Sequence, residues 1–242
     1  MSKKNKKRYC PALNQEIDSA DCGANRHSRY DCPITCNFSP YHPDNYDQLL
    51  ALETHLDSSI MDRARRHPFF AKQFERLFSQ ANPDEFIFAG KILEILHNAK
   101  NENGLNLFDD WKQDGYNSLK NDARVLLDYK RTMRISLIEI QEVVNEQTVT
   151  FVDLLEDTGR VHKAVDRSMA SRACRFQTML SYYYTVPAFT RFHASAWELP
   201  PLQVYSGLEA FKAVVNHLNI ISRHAKHLSR PGGWRKQEPV LE

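Results

Sequence analysis

The chain has 242 residues, enough for one large domain or two smaller ones. Hydrophobic residues make up 42% and charged residues 26%, which excludes an intrinsically disordered polymer. A formal net charge of +2 excludes a uniformly basic polyanion binder, and no run approaches the roughly 20 apolar residues of a membrane-spanning helix.

The first residues are basic: Lys3, Lys4, Lys6, Lys7 and Arg8 come without an acid among them. No apolar segment follows of the kind a secretory signal needs, so a cytoplasmic protein without a membrane partner is expected. Residues 1–42 then carry Cys10, Cys22, Cys32 and Cys36, while Cys174 stands far downstream. The spacing C-x11-C-x9-C-x3-C departs from paired CxxC knuckles. Four thiols in a short segment poor in core residues nonetheless predict one closed, structural Zn2+ site. Such a segment needs a staple to fold, and in a reducing compartment clustered thiols favour metal over disulfide. Free thiols are the alternative reading, and His27 or His42 could replace one cysteine. Arg26 and Arg29 lie between the second and third cysteines. With the basic start they could contact phosphate; a solvated terminus and loop is the simpler account.

Residues 43–130 read as a helical region. Leu49, Leu52, Leu56 and Ile60 recur at helical spacing in a run that should stop before Pro68. Phe70, Phe74, Leu77 and Phe78 mark a second helix. Asn82-Pro83 looks like the start of a third, carrying Phe86, Ile87, Ile92, Leu93 and Leu96. Asn101-Glu102-Asn103-Gly104 is a loop. Short helices around Phe108 to Trp111 and Leu119 to Tyr129 follow.

Residues 131–242 change period. The Ile135–Val144 run shifts phase between Leu137 and Ile138, which predicts a bulge or burial on both faces. Asn145-Glu146-Gln147 is a hairpin loop and Asp157-Thr158-Gly159 a turn. Phe176, Thr178, Leu180, Tyr182 and Tyr184 share a face of one strand; Phe189, Arg191, His193, Ser195 and Trp197 share a face of the next. About five strands joined by short turns predict an antiparallel sheet. Ser206-Gly207-Leu208-Glu209 matches a capping box. Leu208, Phe211, Val215, Leu218 and Ala225 then form the stripe of a helix that should cover the sheet. The expected class is α+β: a zinc-knuckle-like module, a helical middle, and a roughly five-stranded antiparallel sheet packed by a C-terminal helix.

Other constellations are weaker. His217, His224 and His227 share one side of the last helix without an H-E-x-x-H pattern. Glu139, Glu142, Asp153, Glu156 and Asp157 gather near the first hairpin, where solvated acids are ordinary. Asp166, Arg167, Ser168, Ser171 and Cys174 surround a turn, with Cys174 expected to be a buried, inert thiol. No Walker loop, GxGxxG, nucleophile elbow or kinase signature occurs.

Cys10-Pro11-Ala12-Leu13, Asp21-Cys22-Gly23 and Cys32-Pro33-Ile34-Thr35-Cys36 resemble the N-terminus of a family of uncharacterised bacterial proteins. The block from Ser118 to Glu156 is similar to that family's central segment. Some relatives carry a SEC-C type metal-binding motif, whose C-x-C-x8-C-[HC] pattern this chain lacks. The resemblance implies a bacterial cytoplasmic protein and supplies no activity. The leading expectation is a non-enzymatic, zinc-stapled protein that binds nucleic acid or another protein. A metal-dependent hydrolase, with the hairpin acids or His193 and the helix histidines lining a pocket between sheet and helix, is the alternative. A protein-interaction module is a third reading.

Overall fold

The computed structural model describes residues 6–79, 85–156, 158–199, 207–209, 211, 212 and 215, with backbone only at 85, 86, 194 and 195. The N-terminal segment opens as a hairpin, β1 (Lys7–Cys10) antiparallel to β2 (Gln15–Asp18). Asn14 turns between them at φ 53°, a left-handed conformation that asparagine tolerates. Helix α1 (Ser19–Asn25) follows and buries Cys22. The apolar cluster here is Cys10, Ile17 and Cys22, with Ala12 and Tyr30 packed against it. So little apolar surface does not offset the chain entropy of the segment.

The segment is held to α6 (Asn121–Lys130) by the buried Tyr41 ring, edge-on to Tyr129 at 5.3 Å, and by polar contacts. Arg26 clamps the Asp122 carboxylate through Nε at 2.6 Å and Nη2 at 2.5 Å. The Tyr41 hydroxyl donates to the Asp122 carbonyl at 2.9 Å. Asn121 Nδ2 donates to the carbonyls of Gly23 and Arg26 at 3.2 and 2.9 Å. These contacts satisfy loop carbonyls that a buried loop must pair.

The helical middle comprises α2 (Tyr46–Arg66), α3 (Pro68–Phe78), α4 (Glu85–His97), α5 (Leu107–Gln113) and α6. Helix α2 ends at Arg66 as the following proline requires. His67 then caps α3, its Nδ1 accepting from the Phe69 N–H at 3.3 Å, with Pro68 at the first helical position. Leu49, Leu56, Ile60 and Ala64 of α2 are buried against Phe70 and Phe74 of α3 and Leu126 and Leu127 of α6. In α4, Gly90 stands where a Cβ would come within 2.8 Å of the Tyr182 hydroxyl. The expected start of α4 at Asn82-Pro83 lies outside the described residues.

The remaining strands are β3 (Arg134–Asn145), β4 (Thr148–Asp153), β5 (Val161–Val165), β6 (Thr178–Val186) and β7 (Phe189–Leu199), with the short helix α7 (Arg167–Ala170) after β5. They form a closed barrel in the order β3-β4-β5-β7-β6, not the antiparallel sheet that short turns suggest. Two features close it. The twelve-residue β3 pairs with β6 through Arg134–Glu139 and with β4 through Ile138–Asn145. The α7 crossover then lays β5 parallel to β7, with Ala164 opposite Thr190. The register of β3 against β4 breaks twice, between Ile140 and Glu142 and between Val143 and Asn145, both beyond the expected phase shift, and the run from Ile135 to Ile140 is buried on both faces.

Alternation divides the barrel residues. Ile138, Ile140, Val149, Phe151, Ala164, Met179, Tyr183 and Phe192 fill the interior. Ile135, Leu137, Leu180, Tyr182, Tyr184 and Val186 face the helices. Leu208, Phe211 and Val215, the described part of the last predicted helix, pack on that same helical core.

A buried charged node ties the two layers. Arg191 of β7 donates to both carboxylate oxygens of Glu53 on α2 at 2.9 and 2.8 Å. Its Nη1 also reaches the Val165 carbonyl at 2.6 Å and Asp166 at 3.0 Å. The Tyr184 hydroxyl donates to Glu53 as well. A charge pair this deep persists only when every donor finds a partner.

Candidate functional site

Cys10, Cys22, Cys32 and Cys36 come from the end of β1, the middle of α1 and the loop beyond it. All four are buried free thiols, 4 to 8% exposed. They share one neighbourhood. Burial pushes the Cys22 thiol up, Arg8 and Arg26 pull it back, and Cys36 and Cys10 push it further up. Burial pushes Cys32 up to about 11, with added repulsion from Cys36, Cys10 and Cys22, while the His27 backbone opposes. Cys22 and Cys32 are therefore held toward their neutral thiol forms. Among the described residues, no group of three or more Cys, His, Asp or Glu side chains is spaced to hold a metal ion.

The neighbours of the thiols are defined. Arg8 sits over the Phe38 ring at 4.6 Å, with Nη1 3.9 Å from the Cys22 sulfur. His27 lies at φ 56°; its Nε2 pairs with the Ser39 hydroxyl at 2.6 Å, and its Nδ1 is buried without a partner. His42 caps the turn at Pro43–Asn45, its Nδ1 accepting from the Asp44 N–H at 3.2 Å.

The basic residues read from the sequence separate. Lys6, Lys7 and Arg29 are exposed. Lys7 belongs to β1, opposite Asp18, rather than to a free arm. Arg26 is occupied by Asp122 and the Phe38 carbonyl. Lys3 and Lys4 lie outside the described residues.

Of the hairpin acids, Asp153 and Glu156 converge on one cation, Arg134, which is 3.3 Å from Asp153. Asp153 is buried, accepting from Ser136 at 2.6 Å, from the Leu155 N–H at 2.9 Å and from Tyr183 at 2.5 Å. Glu156 pairs with Arg134 and with His162 at 3.1 Å. Glu139 is buried and Glu142 exposed; Asp157, like His217, His224 and His227, lies outside the described residues. Cys174 is exposed, contrary to the expectation of a buried thiol, with its N–H donating to Gln177 Oε1 at 3.0 Å.

A second site was not legible as one. A cavity of about 220 Å³ lies between α2, α4, α5, α6 and β7. Ile60, Met61, Ala89, Ile92, Leu93, Leu96, Phe108 and Met133 supply its apolar wall, and Asp57, Lys130, His97 and His193 its polar groups. Lys130 Nζ is 2.5 Å from Asp57, and the lysine side chain is 5% exposed against 44% for the aspartate. Asp57 thus marks where the wall meets solvent. The His97 ring packs edge-on to Phe108 at 4.8 Å. Burial, with Arg131 and His193 nearby, lowers His97 to about 3. Burial, with Lys130 nearby, lowers His193 to about 3 against the opposing pull of Glu53. Both imidazoles are neutral at physiological pH. Of these four groups only His193 stood out in sequence; Asp57 and Lys130 are 73 residues apart, with no local signal.

No helix among the described residues is long and apolar enough to cross a membrane. No protein-family model, curated protein or solved structure matches the chain. Function is therefore argued from its own residues.

Proposed function

We propose that this chain is a zinc-stapled, non-enzymatic binding protein whose N-terminal module contacts nucleic acid. The observation that carries the reading is the burial of four thiols in a segment with almost no other interior. Four thiolates around Zn2+ would fasten β1, α1 and the following loop at one point. The donor set fits zinc in number and softness. The sulfurs do not stand in ligand spacing, so binding would require them to draw together, coupling metal uptake to ordering and to the release of thiol protons.

Phosphate contact is assigned to the exposed Lys6, Lys7 and Arg29, beside the staple. The barrel adds a fold-level argument. Its strand order, with a short helix between the third and fourth strands, is that of OB-type barrels, which bind oligonucleotides or oligosaccharides on their second and third strands. Here that outer face carries Thr150, Val152, Val161 and Lys163, without an aromatic to stack a base. The analogy therefore rests on topology alone, and the module carries the proposal.

The test is metal content of protein purified without added metal, for wild type and for Cys32→Ser with Cys36→Ser. One zinc per chain, lost in the double variant, supports the staple; its absence from wild type refutes it. A salt titration of oligonucleotide binding follows. Lys6→Ala with Lys7→Ala should reduce the salt slope by about 2, and wild type that binds neither DNA nor RNA at low salt removes the nucleic-acid part.

A further inference from the structure

The cavity between the helices and β7 is independent of the thiols and serves no evident role in packing. It is a half-open pocket, and its space of about 220 Å³ exceeds the roughly 150 Å³ at which an engineered cavity takes up benzene. Its wall is mostly aliphatic, which suits an apolar body. Its polar groups decide the rest. Lys130 is already neutralised by Asp57 at 2.5 Å. A ligand charge of either sign would lose hydration there without meeting a free counter-charge. No described residue hydrogen-bonds the ring of His97 or His193, and a neutral imidazole offers one donor and one acceptor. That combination suits a group that both gives and accepts a hydrogen bond without carrying charge.

We infer that this cavity is a binding site for an uncharged, mainly apolar small molecule bearing one hydroxyl-like group, the hydroxyl meeting His97 and His193 and the body resting against Met61, Leu93, Phe108 and Met133. Eight to ten non-hydrogen atoms match the volume. The site is formed in the folded protein, so occupancy should not depend on zinc.

The test uses the full chain and three probes of similar size: p-cresol, p-xylene with a methyl in place of the hydroxyl, and benzoate with a charge. Calorimetric titration should give p-cresol a Kd below about 1 mM and an advantage of about tenfold or more over both others. His193→Phe should shrink the advantage over p-xylene to about threefold or less. The location is read from methionine-methyl NMR. p-Cresol should shift the Met61 and Met133 methyls, which line the cavity, and leave Met169 and Met179 of the barrel cluster in place. Ala89→Phe, which fills the space, should abolish both signals; if that variant does not fold, Met61→Trp is read instead. Failure of p-cresol to bind, equal or better binding of p-xylene or benzoate, or shifts confined to Met169 and Met179 would each overturn the inference.

Discussion

Residues 6–36 gather four thiols, Ile17 and the His27 ring in their interior, where the barrel gathers Ile138, Ile140, Val149, Phe151, Met179, Tyr183 and Phe192. The barrel excludes water with apolar area, and that area scales with the number of side chains it can enclose. The hairpin and short helix of the module have too few side chains for this. They depend on groups at points: Arg26 on Asp122, Asn121 on two carbonyls, and the Tyr41 hydroxyl on a third. One region is held by many weak contacts and the other by a few strong ones, so they should fail differently.

The largest expected difference is in response to a metal chelator. It should expose residues 6–42 to proteolysis while the barrel stays resistant, read by mass spectrometry of limited digests; equal loss of both regions, or no change in either, breaks the contrast. Within the body, Glu53→Ala takes the bidentate carboxylate from the buried Arg191 guanidinium and leaves it Asp166 alone; it should cost about 3 kcal/mol of unfolding free energy. Glu53→Gln should cost less, because the amide still accepts from Arg191. Asp122→Ala removes the clamp on the module and should cost about 1–3 kcal/mol. Its signature is faster hydrogen exchange in residues 19–42 with the barrel amides unchanged.

The smallest effect is graded and depends on pH. His97 and His193 at about 3 and His27 at about 4 lie below their unfolded value of 6.5. The unfolded chain therefore binds more protons below pH 6.5. The stability these three contribute is complete above that pH and lost as pH falls toward their folded values. Each adds at most about 1.4 kcal/mol per pH unit to the slope. His97→Asn with His193→Asn should flatten the denaturation midpoint between pH 6.5 and 4.5 relative to wild type; an unchanged slope would show that the two rings are not held neutral.

Local signals located most elements. Pro68 ended α2, Asn145-Glu146-Gln147 turned β3 into β4, and alternation sorted Leu180, Tyr182 and Tyr184 to the helical side. Barrel closure was not legible, because it depends on β5 meeting β7 across a crossover, a pairing with no turn to announce it. The thiols were visible as a pattern. Their burial and mutual influence required the docking of α1 on α6. The cavity was hardest to see: Asp57, His97, Lys130 and His193 come from four elements, and each reads alone as an ordinary polar residue near an apolar stripe.

Arg191 has a consequence for how the body can be divided. Its guanidinium joins the last strand to a carboxylate 138 positions earlier in the chain. Cutting the polypeptide after α6, where helices give way to strands, would separate that charge from its partner. A fragment containing only the strands would keep Asp166 on Nη1 but leave the Nε and Nη2 donors of the arginine to water, and one containing only the helices would expose Glu53 and the apolar faces that β6 covers. The boundary between helices and strands is thus a change of architecture inside one cooperative unit, and unfolding followed on either side of it should show a single transition.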